Sequence, residues 1–138
     1  MSSPARVHAI QRLVGTLADR VYRSLGWGWR EEIYREALAL ELQDAGLECC
    51  CEVASPVMYK GRPLPHVSVR TDLIVAGCVI VELKAVAARL PHKARRQCER
   101  YLATVPDMYA GVVINFPDAP KRTLERAFIL GGHHTDAS

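Results

Sequence analysis

The sequence predicts a mixed α/β domain in which helices cover a five-stranded sheet. Two helical segments open the chain, and five apolar or alternating segments typical of strands follow. A further helical segment lies between the third and the fourth of these strands. The expected element order is α-α-β-β-β-α-β-β, with a three-stranded antiparallel meander before a crossover helix. The 138 residues suit a single domain over residues 1–130, and residues 131–138 are expected to form a flexible tail.

Two helices are predicted in the first third of the chain. Residues 5–25 carry apolar side chains at a helical period, which Gly26-Trp-Gly28 interrupts. Residues 29–45 fit a second helix, and Gly46 follows it as a C-terminal stop.

Turn residues and side-chain patterns define the strands. Residues 66–76 alternate between two faces, and Ala76-Gly77 then turns the chain into a short apolar run typical of a central strand. The predicted strands span residues 47–60, 66–76, 78–84, 109–116 and 124–130, and the crossover helix spans residues 92–104.

Three aromatic residues lie at the break between the first two helices or in the first turns of the second. Trp27 and Trp29, beside two glycines, are expected to cap the helix pair and fill the core, and the alternative is that they stack on nucleobases. Tyr34 is expected to pack in the core and to satisfy its hydroxyl there.

Charge and hydropathy limit the classes of protein to consider. The net charge of +3 at pH 7 permits nucleic-acid binding without requiring it, and basic residues are concentrated in residues 89–100. No apolar run reaches the roughly 18 residues of a membrane span, and the N-terminus lacks the apolar core of a signal peptide. We therefore expect no membrane association and an intracellular location, cytoplasmic or, depending on the source, nuclear or virion-associated.

The five cysteines form no recognisable zinc motif. Cys49, Cys50 and Cys51 are adjacent, Cys78 and Cys98 stand alone, and no C-x-x-C pair occurs. We expect all five to be small apolar residues or free thiols.

Three charged residues lie within two neighbouring predicted strands. Glu82 and Lys84 share one face of their strand, and a turn centred on Gly77 places Asp72 opposite Glu82. Carboxylates that close repel each other unless one is protonated or a cation joins them, and Mg²⁺ binds one or two carboxylates while keeping several waters. A divalent metal site is one interpretation, and a salt bridge from Lys84 to either carboxylate at a sheet edge is the other.

The surrounding motifs resemble the PD-(D/E)XK nuclease superfamily and, within it, the small GxxExxY family. Gly28, Glu31 and Tyr34 have the spacing of the signature, with Trp27 where the family is expected to carry proline. The further motifs follow in order: Tyr59-Lys-Gly61, Arg70-Thr-Asp72-Leu-Ile-Val75, Val81-Glu-Leu-Lys84-Ala-Val86 and Gly111-Val-Val-Ile-Asn-Phe116. The resemblance covers nearly the whole chain and implies a restriction-endonuclease-like core.

The resemblance also implies roles for the charged residues, with Mg²⁺ or Mn²⁺ as the cofactor. By this analogy Asp72 and Glu82 bind the metal, Lys84 orients the attacking water, and the carbonyl of Leu83 completes the site. Glu31 is expected near the metal as a further ligand, because it heads the stripe of the second helix that faces the sheet. Its alternative role is to complement the dipole at the helix N-terminus.

The predicted crossover helix carries a Q-x-x-x-Y motif. Gln97 and Tyr101 lie on one helix face, and Lys93 extends that face by one turn. In one branch of the superfamily such a helix borders the active site, which implies that Gln97 and Tyr101 contact substrate phosphates. His92 lies five residues before Gln97, whereas the family spacing is three.

Arginines surround the same motif. Arg95, Arg96 and Arg100 are placed to follow a nucleic-acid backbone, and a solvated basic face is the alternative.

These features together predict a metal-dependent nuclease that hydrolyses phosphodiester bonds of DNA or RNA. So small a domain is expected to have weak sequence preference unless a partner, such as a second copy of the chain or another protein, supplies it. The alternatives are a catalytically silent nuclease-fold protein that binds or packages nucleic acid, and a scaffold subunit of a larger assembly. No Ser-His-Asp arrangement and no nucleotide-binding loop is recognisable.

Overall fold

The structure, a computed structural model, describes residues 3–131 of the chain. Within this range three helices and five strands follow the predicted order, which confirms the mixed α/β class. The helices are α1 (Pro4–Leu25), α2 (Glu31–Asp44) and α3 (His92–Thr104). The strands are β1 (Cys49–Tyr59), β2 (Arg62–Val75), β3 (Val79–Lys84), β4 (Ala110–Asn115) and β5 (Glu125–Leu130). Of the predicted tail, residues 132–138 lie outside the described range.

The strands form a sheet in the order β1-β2-β3-β4-β5. Neighbouring strands are antiparallel except β3 and β4, which run parallel because α3 carries the chain back along the sheet between them. β3 is the middle strand of this order. Its first three residues, Val79, Ile80 and Val81, are fully buried, as expected for a central strand.

Helices cover both faces of the sheet. α1 and α2 pack on one face, where they share a core with Leu73 and Val81 of the middle strands. α3 packs on the opposite face, where Cys98 and Leu102 contact a smaller core that includes Ile80. Side chains that leave the middle strands on this second face therefore point toward α3.

A glycine sets how closely α3 approaches the sheet. Gly111 of β4 lies beneath Cys98, and a Cβ atom at position 111 would overlap the Cys98 Sγ atom. Cys98 is fully buried, and this burial, followed by the charges of Glu82 and Glu99, raises the pKa of its thiol to about 12. Because Gly111 has no side chain, the helix that carries the Q-x-x-x-Y motif can pack closely against β4.

The connection between α1 and α2 is built around Tyr34. Its fully buried ring stacks on Phe116 with ring centroids 4.3 Å apart, and its hydroxyl donates to the Gly26 carbonyl at 2.7 Å, as expected for a packing residue. Trp27 and Trp29 are instead 52% and 48% exposed. The expectation that they fill the core is wrong, because Tyr34 and Phe116 already occupy the space beneath this connection. The expected cap is present at Trp29, whose Nε1 donates to the carbonyl of Leu25 at the end of α1 at 2.9 Å.

The β1–β2 hairpin is longer than predicted. β2 begins at Arg62, and Lys60 and Gly61 form the tip with φ angles of 50° and 76°, which suits a two-residue hairpin turn. The outer half of β2, through Ser68, is exposed on both faces, so alternation there does not translate into burial.

Two further expectations concern cysteines and membranes. All five cysteines are free, Cys78 and Cys98 being buried while Cys50 and Cys51 are exposed on β1, an edge strand. No helix within the described range is both long and apolar enough to cross a membrane.

Candidate active site

Asp72 and Glu82 lie side by side on neighbouring strands. β2 and β3 pair antiparallel with Leu73 opposite Val81, so the next residues outward are Asp72 and Glu82. This register agrees with a turn centred on Gly77. A hydrogen bond fixes the first carboxylate, because Asp72 Oδ2 accepts from the backbone N–H of Leu83 at 2.7 Å.

Both carboxylates project toward α3. Ile74 and Ile80 pair across the same two strands and contact the core beneath α3. Because side chains alternate along a strand, Asp72 and Glu82 leave the sheet on that face as well. The influence of the Glu82 charge on the Cys98 thiol agrees with this placement.

Burial and a neighbouring charge oppose the ionisation of Glu82. Burial, followed by the charge of Asp72, raises the pKa of Glu82 to about 9, and a hydrogen bond between the two carboxyl groups acts in the same direction. The Oε1 atom of Glu82 is buried and has no hydrogen-bond partner. A buried oxygen without a partner is costly, so the pair is set to accept a proton or a cation.

Lys84 ends β3 on the same face as Glu82 and is partly exposed. Its ammonium lowers the pKa of Glu82, against the larger effects of burial and of Asp72. Among residues 3–131, Lys84 forms no salt bridge with a carboxylate. β2 and β3 are also interior strands. The alternative prediction, a salt bridge from Lys84 to either carboxylate at a sheet edge, is therefore wrong.

Glu31 approaches the pair from the other layer. It is the first residue of α2 and is exposed as a whole, yet its carboxyl group is partly desolvated. This desolvation raises the pKa of Glu31, while the charge of Lys84 lowers it and the charge of Asp72 raises it. The N-terminus of α2 therefore lies close enough to the edge of the site for the charges of Lys84 and Asp72 to act on Glu31.

The two paired carboxylates fit a divalent cation. Within the described part of the chain, no group of three or more His, Cys, Asp or Glu side chains is placed to hold a metal ion, and Glu31 as a third ligand stays a prediction. Mg²⁺ needs only one or two carboxylates and keeps its other ligands as water. The unpartnered oxygen of Glu82 beside Asp72 supplies the oxygen donors that such a hard cation prefers.

A cleft of about 870 Å³ opens beside Lys84, between the end of β3 and α3. Five of the side chains predicted to bind nucleic acid line this cleft: Lys93, Arg96, Gln97, Arg100 and Tyr101. Arg95, which was predicted to follow the backbone as well, is exposed but does not line it. The fold thus places the Q-x-x-x-Y helix face and the carboxylate pair on the same side of the sheet.

The cleft side of α3 combines an ordered polar pair with free positive charge. Gln97 Nε2 donates a hydrogen bond to the Tyr101 hydroxyl, one helical turn away. Lys93, Arg96 and Arg100 are exposed, and none of them forms a salt bridge with another described residue. Their charge is therefore available to an anionic ligand.

A buried asparagine near the site has no role assigned from the sequence. Asn115 ends β4, is fully buried, and pairs with Lys84 in the parallel register. Its side chain bonds to the loop that leads from Lys84 to α3. The signal in the sequence was a polar residue closing an otherwise apolar strand, because a buried amide needs several partners.

Comparison with known proteins agrees with this geometry. A model of the PD-(D/E)XK nuclease superfamily matches residues 8–127, a range that includes Asp72, Glu82 and Lys84. The chain matches no curated protein and no solved structure. The three helices and the five-stranded mixed sheet of the described range are consistent with a restriction-endonuclease-like fold. With most of its length matched, the chain belongs to the PD-(D/E)XK nuclease superfamily.

Proposed function

We propose that this chain is a metal-dependent nuclease that hydrolyses phosphodiester bonds of DNA or RNA. The observation that carries the proposal is the pairing of Asp72 with Glu82 beside Lys84, next to a cleft lined by uncompensated basic side chains. Membership of the superfamily supports nuclease activity. We assign this function to a single domain spanning residues 1–130.

Asp72, Glu82 and the carbonyl of Leu83 would hold the cation, Mg²⁺ or Mn²⁺. A divalent cation bound there supplies Lewis-acid activation of the phosphodiester and of water. Lys84 orients the attacking water and stabilises the negative charge that develops on the phosphate. Glu31, from the N-terminus of α2, adds a further carboxylate at the edge of the site.

The cleft side of α3 holds the nucleic-acid backbone. Gln97 and Tyr101 donate hydrogen bonds to phosphate oxygens once substrate replaces their mutual contact. Lys93, Arg96 and Arg100 neutralise phosphates, so binding is expected to weaken steeply with salt. Most of these contacts reach the backbone and not the bases, which favours weak sequence preference.

The finer assignment to the GxxExxY family rests on the connection into α2. Gly28 has a φ of 100°, a conformation that favours glycine. Tyr34 holds the connection through its bond to the Gly26 carbonyl, and Glu31 faces the site from the first turn of α2. All three signature residues therefore have a physical reason for their identity.

A cleavage assay tests the proposal. Fluorescent single-stranded DNA, duplex DNA and RNA are incubated with Mg²⁺ or Mn²⁺ and with wild type, Glu82→Ala or Lys84→Ala. Lys60→Ala, at the exposed hairpin tip, is the matched control for Lys84→Ala. We expect metal-dependent cleavage that Glu82→Ala abolishes, that Lys84→Ala reduces by about 10²-fold to 10³-fold, and that Lys60→Ala leaves unchanged.

Other outcomes would favour the alternatives. Salt-sensitive binding in EDTA without cleavage in any metal would point to a catalytically silent protein that binds or packages nucleic acid. Neither binding nor cleavage would favour a scaffold subunit. Equal cleavage by wild type and both site variants would show that a contaminant is responsible.

A further inference from the structure

The loop between β3 and α3, residues 85–91, joins Lys84 to the basic helix without regular secondary structure. Val86 and Pro91 of this loop line the cleft. The backbone groups of such a segment must find partners outside it. Three side chains from β4, β5 and their connection provide them, and they are called here the Asn115 network: Asn115, Arg122 and Glu125.

Asn115 binds the start of the loop on both its donor and acceptor sides. Its Oδ1 accepts from the Val86 N–H at 3.0 Å, and its Nδ2 donates to the carbonyls of Val86 and Ala88, each at 3.2 Å. The same Nδ2 donates to Glu125 Oε1 at 2.8 Å. An amide nitrogen has two hydrogens, so these three acceptors share them and together favour a single orientation of the side chain.

Glu125 and Arg122 bind the rest of the loop. Glu125 Oε1 accepts from the Leu90 N–H at 3.1 Å, immediately before Pro91 and the start of α3. Arg122 Nη1 donates to the Ala87 carbonyl at 2.7 Å, and its Nη2 lies 3.5 Å from Glu125 Oε1. The three side chains therefore bind the loop at four residues, Val86, Ala87, Ala88 and Leu90, and they also bind one another.

We propose that the Asn115 network positions α3 relative to Lys84 for the reaction, an inference that rests on the proposed function. Fixing the loop sets the distance between the ammonium that orients water and the helix side chains that hold the phosphate backbone. A misplacement of about 1 Å at a reacting group can reduce turnover by about 10²-fold.

These are positioning residues and not catalytic ones. None of the three lines the cleft, and Asn115 is fully buried. A purely structural role would lower stability alone, whereas a positioning role lowers turnover beyond the loss that any equally destabilising change produces.

Arg122 and Arg126 offer a matched pair of variants. Each arginine donates to one backbone carbonyl of another element, Arg122 to Ala87 of the loop and Arg126 to Gly15 of α1 at 2.9 Å. Arg122→Met and Arg126→Met each remove one such bond. Arg122→Met also removes the contact with Glu125, which belongs to the same network, and only this variant loosens the loop. Arg122→Lys keeps the charge and one donor, so it should restore part of the loss.

The experiment measures hydrogen exchange at the Val86 and Leu90 amides, kcat and KM for an oligonucleotide in Mg²⁺, and the unfolding temperature. We expect Arg122→Met to speed exchange at both amides and to lower kcat by about 10-fold to 100-fold. Arg126→Met, at a similar unfolding temperature, should keep wild-type exchange in the loop and wild-type kcat.

Three results would overturn the inference. Unchanged loop exchange in Arg122→Met would show that the network does not hold the loop. Faster loop exchange with kcat equal to that of Arg126→Met would show that the loop does not position the site. A wild type that neither binds nor cleaves nucleic acid would remove the proposed function and this inference together, which separates that failure from the other two.

Discussion

The Asp72 carboxylate accepts a hydrogen bond from the backbone N–H of Leu83, the residue that follows Glu82. This bond ties the acidic side chain of one strand to the backbone of the next. It holds Asp72 beside Glu82, where burial, followed by the charge of Asp72, raises the pKa of Glu82. The strand register thus holds two carboxylates close together, and a bound cation or proton relieves their mutual repulsion.

The first prediction concerns stability against pH in the absence of divalent cations. The pKa of Glu82 rises from the ordinary 4.5 to about 9 in the folded protein, so the folded state binds this proton more tightly than the unfolded chain. The resulting stabilisation is complete below about pH 4.5 and is lost as the pH rises toward 9. We expect wild type to lose stability across this range, and Glu82→Gln, which cannot ionise, to lose less.

Urea unfolding in EDTA across that pH range measures the effect. Glu48→Gln, which changes an exposed glutamate in the α2–β1 connection, should follow wild type. Parallel curves for wild type and Glu82→Gln would contradict the buried, charge-coupled state of Glu82.

The second prediction concerns the response to the cation. Mg²⁺ should stabilise the folded protein, by about 2.7 kcal/mol at a concentration 100 times its Kd. The shift should grow as the pH rises, because Glu82 must lose its proton to bind the cation. Thermal unfolding with and without Mg²⁺ should show this shift in wild type and neither in Asp72→Asn nor in Glu82→Gln.

Glu31→Gln decides the role of Glu31 in the same measurement. A smaller Mg²⁺ shift would support its role as a ligand. A full shift would restrict Glu31 to the edge of the site, where the charges of Lys84 and Asp72 act on it.

The third prediction concerns Trp27 and Trp29, the two tryptophans of the chain. Both are about half exposed and precede Glu31 by a few residues, so single-stranded nucleic acid at the site should quench their fluorescence. Trp27→Ala should weaken single-strand binding by about 1–3 kcal/mol per stacked base and change stability by at most about 0.5 kcal/mol. Tyr59→Ala, an aromatic 57% exposed near the hairpin tip, is the control. Unchanged affinity and fluorescence would contradict base stacking at this connection.

The fourth prediction concerns how closely α3 packs against β4. Gly111→Ala places a Cβ atom against the Cys98 Sγ atom, and such overpacking typically costs about 1–3 kcal/mol. Removing that sulfur in the double variant Gly111→Ala/Cys98→Ala should recover part of the loss in a double-mutant cycle. Gly15→Ala is the control, because the three atoms nearest to its Cβ would all belong to the flexible side chain of Arg126. Additive losses would show that Cys98 is not the obstacle.

Local periodicity predicted much of this molecule. The apolar patterns located all eight elements of the described range, and the turn at Gly77 brought Asp72 opposite Glu82 because antiparallel pairing is symmetrical about a short hairpin. The helical spacing of Gln97 and Tyr101 predicted a shared face, which the structure confirms. These features depend on residues close together in sequence.

Tertiary contacts account for what the sequence left out. The partners of Asn115 in the loop lie 27 and 29 residues away, and no local pattern encodes them. The exposure of Trp27 and Trp29 depends on Tyr34 and Phe116 filling the interior first.

The most direct test is a crystal structure with Mn²⁺, located by its anomalous scattering. The account predicts a manganese peak at the carboxylates of Asp72 and Glu82 in wild type and no peak there in Asp72→Asn. A peak held elsewhere, or an empty carboxylate pair at saturating Mn²⁺, would contradict it.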